Sequence, residues 1–450
     1  MTGVFHAYDV RGIWGDGIDA RLSERIGRAV ALHLRPATAC VGHDMRPSAL
    51  PAKDALIRGL RAHGVAVTEI GLASTPMQYF ATGHGNFDAG VQVTASHNPS
   101  QYIGFKISRK DVVPVGGDSG LKDIERLVLS EDPLDPPPGT APGALTSRDI
   151  RKDYAAHVAR FHRPGKRRLK VVADCANGMG SLEVDLGLSR LGHDLTVLFP
   201  ELDGTFPNHE ANPLRHENLR DLQEAVLARG ADCGVAFDGD ADRACFVDEK
   251  GQVVTNDLLT ALIAGEVLPD EPAGSAVVYD LRSSRVVPET VTALGGRPIR
   301  ERVGHAFMKA RLRKEKGAFG GEYSGHFYFR DNWHADSGVI ASTLVLNRLS
   351  REAVPFSGIL APLRRYRQTG EINFEVHDKD GKIREIADAF RDGEVDFVDG
   401  VTVNYPDWWF NVRKSNTEPL LRLNLEGLTP AAFEAGKARV MPFLGTPVDR

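Results

Sequence analysis

The chain runs to 450 residues, of which 42% are hydrophobic and 26% charged, with a formal net charge of −5. That length is too great for one core and predicts about three or four domains, while mild acidity excludes a nucleic-acid or other polyanionic partner as the main ligand. No apolar run approaches membrane-spanning length, and Met1 to Phe5 lack the basic and apolar regions of a signal peptide, so a cytoplasmic protein without membrane contact is expected.

In chain order, Leu22 to Leu34 is amphipathic, Ala39 to Gly42 is a short buried strand, Ser48 to His63 is a helix and Gly64 to Ile70 is a further strand. Ala89 to Val93 alternates as a strand and ends in Thr94-Ala95-Ser96-His97-Asn98-Pro99, which sets Ser96 at the mouth of a sheet. Helices alternating with short β-rich runs predict a largely parallel sheet covered on both faces. A proline-rich run from Glu131 to Gly139 then breaks all periodicity and marks the first boundary.

The same grammar restarts twice. Strand Leu169 to Asp174 leads into a glycine turn over Asn177 to Gly180 with a helix behind it, and strand Ala231 to Phe237 follows. The third unit holds strand Ser275 to Asp280, helix Ser284 to Leu294, strand Pro298 to Val303 and helix His305 to Leu312. Successive units of about a hundred residues suggest a divergent triplication. After about Gln368, Glu371 to Val376 and Leu420 to Leu425 alternate, Lys382 to Phe390 is helical and a last helix starts at Pro430, the pattern of a small antiparallel α+β domain. The expected fold is therefore α/β, with three related mixed α/β domains (1–145, 146–250 and 251–367) and a smaller C-terminal α+β domain (368–450). Cys40, Cys175, Cys233 and Cys245 form no CxxC pair and read as buried thiols.

Four short motifs carry chemistry. A turn serine such as Ser96 is ordinarily filler or a cap, and its interest comes from the other three. In Phe237 to Arg243, the carboxylates of Asp238, Asp240 and Asp242 follow a buried strand and can converge on one cation, and oxygen-only ligation suits Mg²⁺. An EF-hand loop also opens Asp-x-Asp-x-Asp, but Arg243 stands where that loop needs glycine and the flanks read as strands. A guanidinium beside the carboxylates suits phosphate oxygens. In Gly320 to His326, an extended segment places Glu322, Ser324 and His326 on one side and Tyr323 on the other, and a carboxylate beside a hydroxyl can grip vicinal sugar hydroxyls. In Arg413 to Pro419, Arg413, Ser415, Asn416 and Thr417 form a donor-rich turn, a small nest for phosphate. Arg11 and Lys106 read as single cations. His305 and Lys309 share a helical face, and such a pair is ordinarily solvated.

With Thr94–Pro99, Asp238–Arg243, Gly321–His326 and Arg413–Pro419 in order, and with supporting stretches at Ala7–Gly12, Gly42–Arg46, Gly104–Ile107, Asp203–His209 and Gly304–Lys309, the sequence resembles the α-D-phosphohexomutase superfamily, most nearly its phosphomannomutase/phosphoglucomutase branch. The resemblance covers essentially the whole chain and implies four domains around a deep central cleft, each giving one loop. It implies that Ser96 carries a phosphoryl group, and that Asp238, Asp240, Asp242 and an oxygen on Ser96 hold Mg²⁺. It implies further that Tyr8, Arg282, Glu322, Ser324 and His326 contact the sugar phosphate, while Arg413, Ser415, Asn416 and Thr417 hold the phosphate that is not reacting. The implied reaction interconverts mannose 1-phosphate and mannose 6-phosphate, and the glucose pair, through a mannose or glucose 1,6-bisphosphate that turns end over end. Arg243 and the cation offset the charge of phosphoryl transfer. The group that takes the proton of the attacking hydroxyl is one of Lys106, His305, Arg11 and His97, with Lys106 and His305 favoured, on the ground that a crowded cationic pocket lowers a lysine pKa.

The chain departs from the family pattern in places. Ala335-Asp336-Ser337-Gly338 stands where a typical member has Asp-Asp-Gly, and Arg282 stands where close relatives often carry lysine. Thr-Ala-Ser-His in the first motif and Ser-Asn-Thr in the fourth favour mannose or glucose over glucosamine phosphate, the alternative within the superfamily. A metal-dependent sugar phosphatase and a non-catalytic sugar-phosphate binder are the alternatives outside it. A hinge near Gln368 to Gly370 is expected to let the last domain close and exclude water. Monomer and homodimer both stay open.

Overall fold

Short apolar strands build four sheets in the computed structural model, which describes residues 3–415 and 420–448. The first sheet comprises β1 (Val10–Ile13), β2 (Thr38–His43), β3 (Ala66–Leu72), β4 (Ala89–Val93), β5 (Tyr102–Arg109), β6 (Val113–Pro114) and β7 (Leu145–Ser147). The second holds β8 (Lys170–Asp174), β9 (Asp194–Leu198), β10 (Cys233–Phe237), β11 (Ala244–Asp248) and β12 (Val253–Val254). In the third are β13 (Ala276–Asp280), β14 (Arg297–Glu301), β15 (Phe319–Gly321), β16 (Phe327–Phe329) and β17 (Ala335–Asp336). The last contains β18 (Arg367–Glu375), β19 (Glu394–Asp396), β20 (Val401–Asn404), β21 (Trp408–Lys414), β22 (Leu420–Gly427) and β23 (Pro447–Val448).

One strand order recurs in the first three sheets: β3-β2-β4-β5, β9-β8-β10-β11 and β14-β13-β15-β16. In each, two parallel pairings are followed by an antiparallel return strand. The repeat hidden in the sequence is thus visible as topology. The sheets are mixed, where the alternation of helices and strands predicted largely parallel ones. The reason is local: a loop of a few residues can only reverse the chain, whereas a parallel neighbour needs a crossover of about a dozen. Each of the first three motifs is that reversing loop, joining β4 to β5, β10 to β11 and β15 to β16. The fourth motif joins β21 to β22 in a sheet whose pairings are all antiparallel.

One apolar core spans the first three units, taking in Met77 and Phe80, then Val171, Val235 and Phe237, then Val277, Phe319 and Val339, while the first sheet keeps a second core of its own around Val41, Val91, Val93 and Phe105. The last sheet has its own core around Phe374, Ile386, Phe410 and Leu423. Polar contacts join it to the third unit. The Arg285 guanidinium donates to the Tyr405 and Pro406 carbonyls at 2.6 and 3.0 Å, and the Gln368 amide donates to Asp257 at 2.8 Å and Glu426 at 3.0 Å. The register of β18 shifts between Gln368 and Glu371, where Gly370 has φ 68°, so a bulge lies at the expected hinge. All four cysteines are buried and unbridged. Among the described residues no helix is long and apolar enough to cross a membrane.

Candidate active site

The loop after β4 turns Ser96 inward. Ser96 has φ 52°, is 1% exposed, and its N–H donates to Thr94 Oγ1 at 3.0 Å. Arg46 holds the loop from behind: its guanidinium donates to the carbonyls of Ser96 (2.8 Å), Asn98 (2.6 Å), Pro99 (2.7 Å) and Tyr102 (3.2 Å). Asp44 pairs with its Nε at 3.2 Å, and the Phe206 ring from the second unit lies 5.1 Å from the guanidinium carbon. The metal-loop backbone presses in from the other side. A Cβ on Gly239 would stand 2.3 Å from the Ser96 carbonyl oxygen, so only glycine allows this approach. The Ser96 hydroxyl therefore faces the second unit, donating to Asp238 Oδ2 at 3.2 Å.

Asp238, Asp240 and Asp242 are all buried and each offers an oxygen within 4.8 Å of the others. Thr75, at the start of helix Thr75–His84, donates its hydroxyl to Asp240 Oδ2 at 2.5 Å. Burial, with Asp242 and Asp240 close by, pushes the Asp238 carboxyl well above the usual carboxylate range. Oδ1 of Asp240 and Oδ1 of Asp242 have no hydrogen-bond partner among the described residues. Buried, converging and under-satisfied carboxylate oxygens are the donor set of a hard divalent cation, so these residues fit Mg²⁺.

Lys106 lies in the same place, its Nζ 2.6 Å from Asp240 Oδ2 and 2.5 Å from Asp242 Oδ2. This corrects the expectation of a cationic pocket that lowers its pKa. Burial alone would do so, but Asp240 and Asp242 outweigh it and hold the ammonium well above the usual lysine value. Arg11 is paired with Asp9 at 2.6 Å and donates to Asn98 Oδ1 at 2.7 Å. His97 and His305 differ from both cations. Burial, then Arg243 for His97 and Lys309 for His305, keeps each imidazole neutral well below the ordinary value. Nδ1 of His97 is 3.0 Å from Arg243 Nη2 and 3.3 Å from Ser96 Oγ.

The third motif, Gly320 to His326, is a tight turn, where the sequence suggested an extended segment. Glu322 N–H donates to the His326 carbonyl at 2.9 Å, Gly325 N–H donates to the Glu322 carbonyl at 3.0 Å, and Gly325 supplies φ 85°. Alternation therefore does not hold. Glu322 and Ser324 do meet, with Ser324 Oγ donating to Oε2 at 3.0 Å. His326 turns the other way, accepting from Arg243 Nε at 3.1 Å and approaching Asp336 at 2.7 Å through Nδ1. Lys309 is fully buried against Asp336 at 2.7 Å, which overturns a solvated His305/Lys309 face. Where the family pattern has a second acid, Ala335 packs in an apolar cluster with Tyr79 and Val112. Ser337 caps the following helix.

Arg282 pairs with Asp280 at 2.6 Å and stands 3.8 Å from Glu322 and 3.7 Å from Glu371, with its guanidinium 5.7 Å from the Tyr323 ring centroid. Glu371 in turn holds Arg413 at 2.5 Å. Ser415 N–H donates to the Leu420 carbonyl at 2.9 Å; Asn416 and Thr417 lie outside the described residues. Tyr8 donates to the Val303 carbonyl at 3.1 Å and its ring meets that of His305 edge-on at 5.1 Å. Polar contacts thus run from Ser96 through Asp238, Arg243, His326 and the Glu322 turn to Arg282, Glu371 and Arg413. Arg46, Thr75, Asp336 and Glu371 were not among the predicted site residues. Arg46 had a signal in the Gly42–Arg46 stretch and Asp336 one in the Ala335–Gly338 turn, whereas Thr75 and Glu371 lay in no motif.

A buried hydroxyl beside a cation-binding carboxylate triplet, linked to a guanidinium-bearing turn on a separate unit, has the parts that phosphoryl transfer needs. The chain belongs to the phosphoglucomutase/phosphomannomutase family, whose α/β/α domains I, II and III match residues 2–135, 152–251 and 255–366 and whose C-terminal domain matches residues 371–442. It is 38% identical over 433 residues to "Phosphohexose mutases" of Xanthomonas campestris pv. campestris, covering 95% of this chain and 96% of that one. Its identity to a phosphomannomutase of Escherichia coli is also 38%, over 446 residues and 97% of each chain. The crystal structure of a phosphoglucomutase/phosphomannomutase family protein from Burkholderia thailandensis superposes with a TM-score of 0.90 at 34% identity, over 98% of this chain and 96% of that one.

Proposed function

We propose that this phosphohexomutase interconverts mannose 1-phosphate and mannose 6-phosphate, and the corresponding glucose phosphates, with Ser96 as the phosphoryl carrier. The observation that carries the reading is the Ser96 hydroxyl 3.2 Å from Asp238 Oδ2, at the edge of the carboxylate triplet. Phosphorylated Ser96 gives its group to the free hydroxyl of a hexose monophosphate: the P–Oγ bond breaks and a bond from phosphorus to the sugar oxygen forms. The resulting 1,6-bisphosphate turns end over end. The proton taken from the sugar hydroxyl passes to the departing Ser96 Oγ; when the other phosphate returns to Ser96, the serine's proton is taken by the same base and passes to the departing sugar oxygen.

Asp238, Asp240, Asp242 and a phosphoserine oxygen would hold Mg²⁺, which supplies charge neutralisation for two phosphates in one cleft. Lys106, held charged by its carboxylates, and Arg243 share that electrostatic work. The proton acceptor is a neutral imidazole, and His305 suits the part because Nδ1 of His97 is already engaged by Arg243. Glu322 and Ser324 grip sugar hydroxyls, while Arg282 and Tyr8 line the path to Arg413, Ser415, Asn416 and Thr417, the nest for the resting phosphate. His326 acts through Arg243. The four units, divided at 145/146, 250/251 and 367/368, each supply one loop, so one copy of the chain suffices. The last unit closes about the bulge at Gln368–Gly370, and the setting is the cytoplasm.

The test feeds mannose, glucose or glucosamine 1-phosphate with a trace of the matching bisphosphate, and follows 6-phosphate and free phosphate together. The expected result is 6-phosphate without free phosphate, with mannose and glucose well ahead of glucosamine in kcat/KM. Accumulating free phosphate would point to a phosphatase, and a lead for glucosamine would point to the other branch.

A further inference from the structure

An anion on β18 already holds the arginine that opens the phosphate-holding turn. Glu371 follows the bulge in β18 and reaches three guanidiniums: Oε2 is 2.5 Å from Arg413 Nη2 and 3.7 Å from Arg282 Nη1, and Oε1 is 2.9 Å from Arg422 Nη1. Arg413 and Arg422 are register partners across β21 and β22, whereas Arg282 belongs to the third unit. Burial would raise the Glu371 carboxyl, but Arg413, Arg282 and Arg422 draw it below the ordinary glutamate value, so it is charged at neutral pH. Arg413 is 1% exposed, and its Nε–H has no partner among the described residues. Its Nη2 is thus taken by a carboxylate and its Nη1 reaches the Lys414 carbonyl at 3.4 Å, which leaves Nε for another acceptor.

Carboxylate and phosphate want the same thing from a guanidinium, a pair of parallel N–H donors. A phosphate arriving on Arg413 must share the fork with Glu371 or displace it, and the two anions repel each other. A mutase that turns its intermediate over must let go of one phosphate and take hold of the other in every cycle. A grip that tightens equally on every bound state lowers KM without raising kcat. We propose that Glu371 is a positioning residue that competes with the substrate's resting phosphate for Arg413, keeping that grip reversible so the bisphosphate can turn. The inference rests on the reading of the Arg413 turn as a phosphate nest. The contact with Arg282 lets the exchange register across the hinge, since Glu371 faces a guanidinium of the third unit as well as those of the fourth.

Calorimetric titration of inorganic phosphate into the unphosphorylated protein tests it, using the parent, E371Q, E371A, E371D and R413A. Removing the charge in E371Q or E371A should tighten phosphate binding roughly tenfold, while E371D, which keeps the charge, should stay close to the parent. With mannose 1-phosphate, KM and kcat should fall together in E371Q and leave kcat/KM nearly unchanged. A carboxylate that merely neutralised its neighbours for stability would lower Tm without that paired fall. Unchanged or weaker phosphate binding in both E371Q and E371A overturns the proposal. Should R413A bind phosphate as well as the parent, the nest reading itself fails and takes the proposal with it, a result separate from any outcome at Glu371. E371A answers the question if the amide variant does not fold.

Discussion

The Ser96 end and the Arg413 end of this site are built on different principles. Ser96 follows a strand packed in the first sheet's core, the aspartate triplet follows one packed in a core that continues through three units, and the Ser96 loop is pinned by a guanidinium that spends its donors on backbone carbonyls. Arg413 sits on a sheet whose core is separate from both, and charges and amides join that sheet to the third unit. Apolar interdigitation gives little room for sliding, whereas polar contacts can be exchanged for water or ligand at modest cost. The Ser96 end is therefore fixed, whereas the contacts at the Arg413 end can be exchanged.

The largest effect should come from breaking the fixed end at its charge. Asp240→Asn keeps the shape but removes a buried acceptor of both Thr75 and Lys106, and kcat should fall about a thousandfold. Removing Mg²⁺ with a chelator should do the same to the parent and be reversed by adding it back. Next comes the fastening of the loop. Arg46→Lys cannot reach the four carbonyls, so kcat should drop about a hundredfold through misplaced geometry with KM little changed. Freed carbonyls and a stranded Asp44 should also cost about 2 kcal/mol of stability. A rise in KM alone would show that Arg46 serves binding rather than placement.

The smallest effect lies at the joint between the first two units. Glu183 accepts hydrogen bonds from the Ser74 hydroxyl and, at 2.8 Å, from Tyr154, and Ser74 caps the helix that presents Thr75 to Asp240. Burial raises the Glu183 carboxyl from 4.5 to about 7. The folded chain therefore keeps a proton that the unfolded chain has lost between those values, so this group's contribution to stability declines as pH rises through the window. Glu183→Gln should remove that slope, changing the stability difference from the parent by about 2–3 kcal/mol between acid and neutral pH. Denaturant unfolding of both proteins across the window checks the sign.

What the sequence made legible was contiguous. Asp238 to Asp242 and Thr94 to Pro99 are local runs after local strands, and the strand pattern around them predicted a loop at a sheet edge. What it hid was contact at a distance. Lys106 meets partners 134 and 136 residues away, so nothing near it in the chain betrayed an acidic pocket. Glu371 stands 42 residues from Arg413 and reads locally as one more alternating strand residue. His326 failed for a different reason: one glycine at positive φ ended the alternation that placed it beside Glu322. Thr75 lies in no motif of the sequence, and only the folded chain sets its hydroxyl on Asp240.

The most direct measurement is the phosphorylation of Ser96 itself. Parent and Ser96→Ala proteins are incubated with glucose 1,6-bisphosphate and Mg²⁺, the peptides are weighed by mass spectrometry, and interconversion of the sugar phosphates is timed in parallel. The account predicts one phosphoryl group on the Ser96 peptide of the parent, none on the variant, and turnover at least about a thousandfold slower without the hydroxyl. A variant that turns over as fast as the parent, or a phosphoryl group that settles on a different residue, would contradict it.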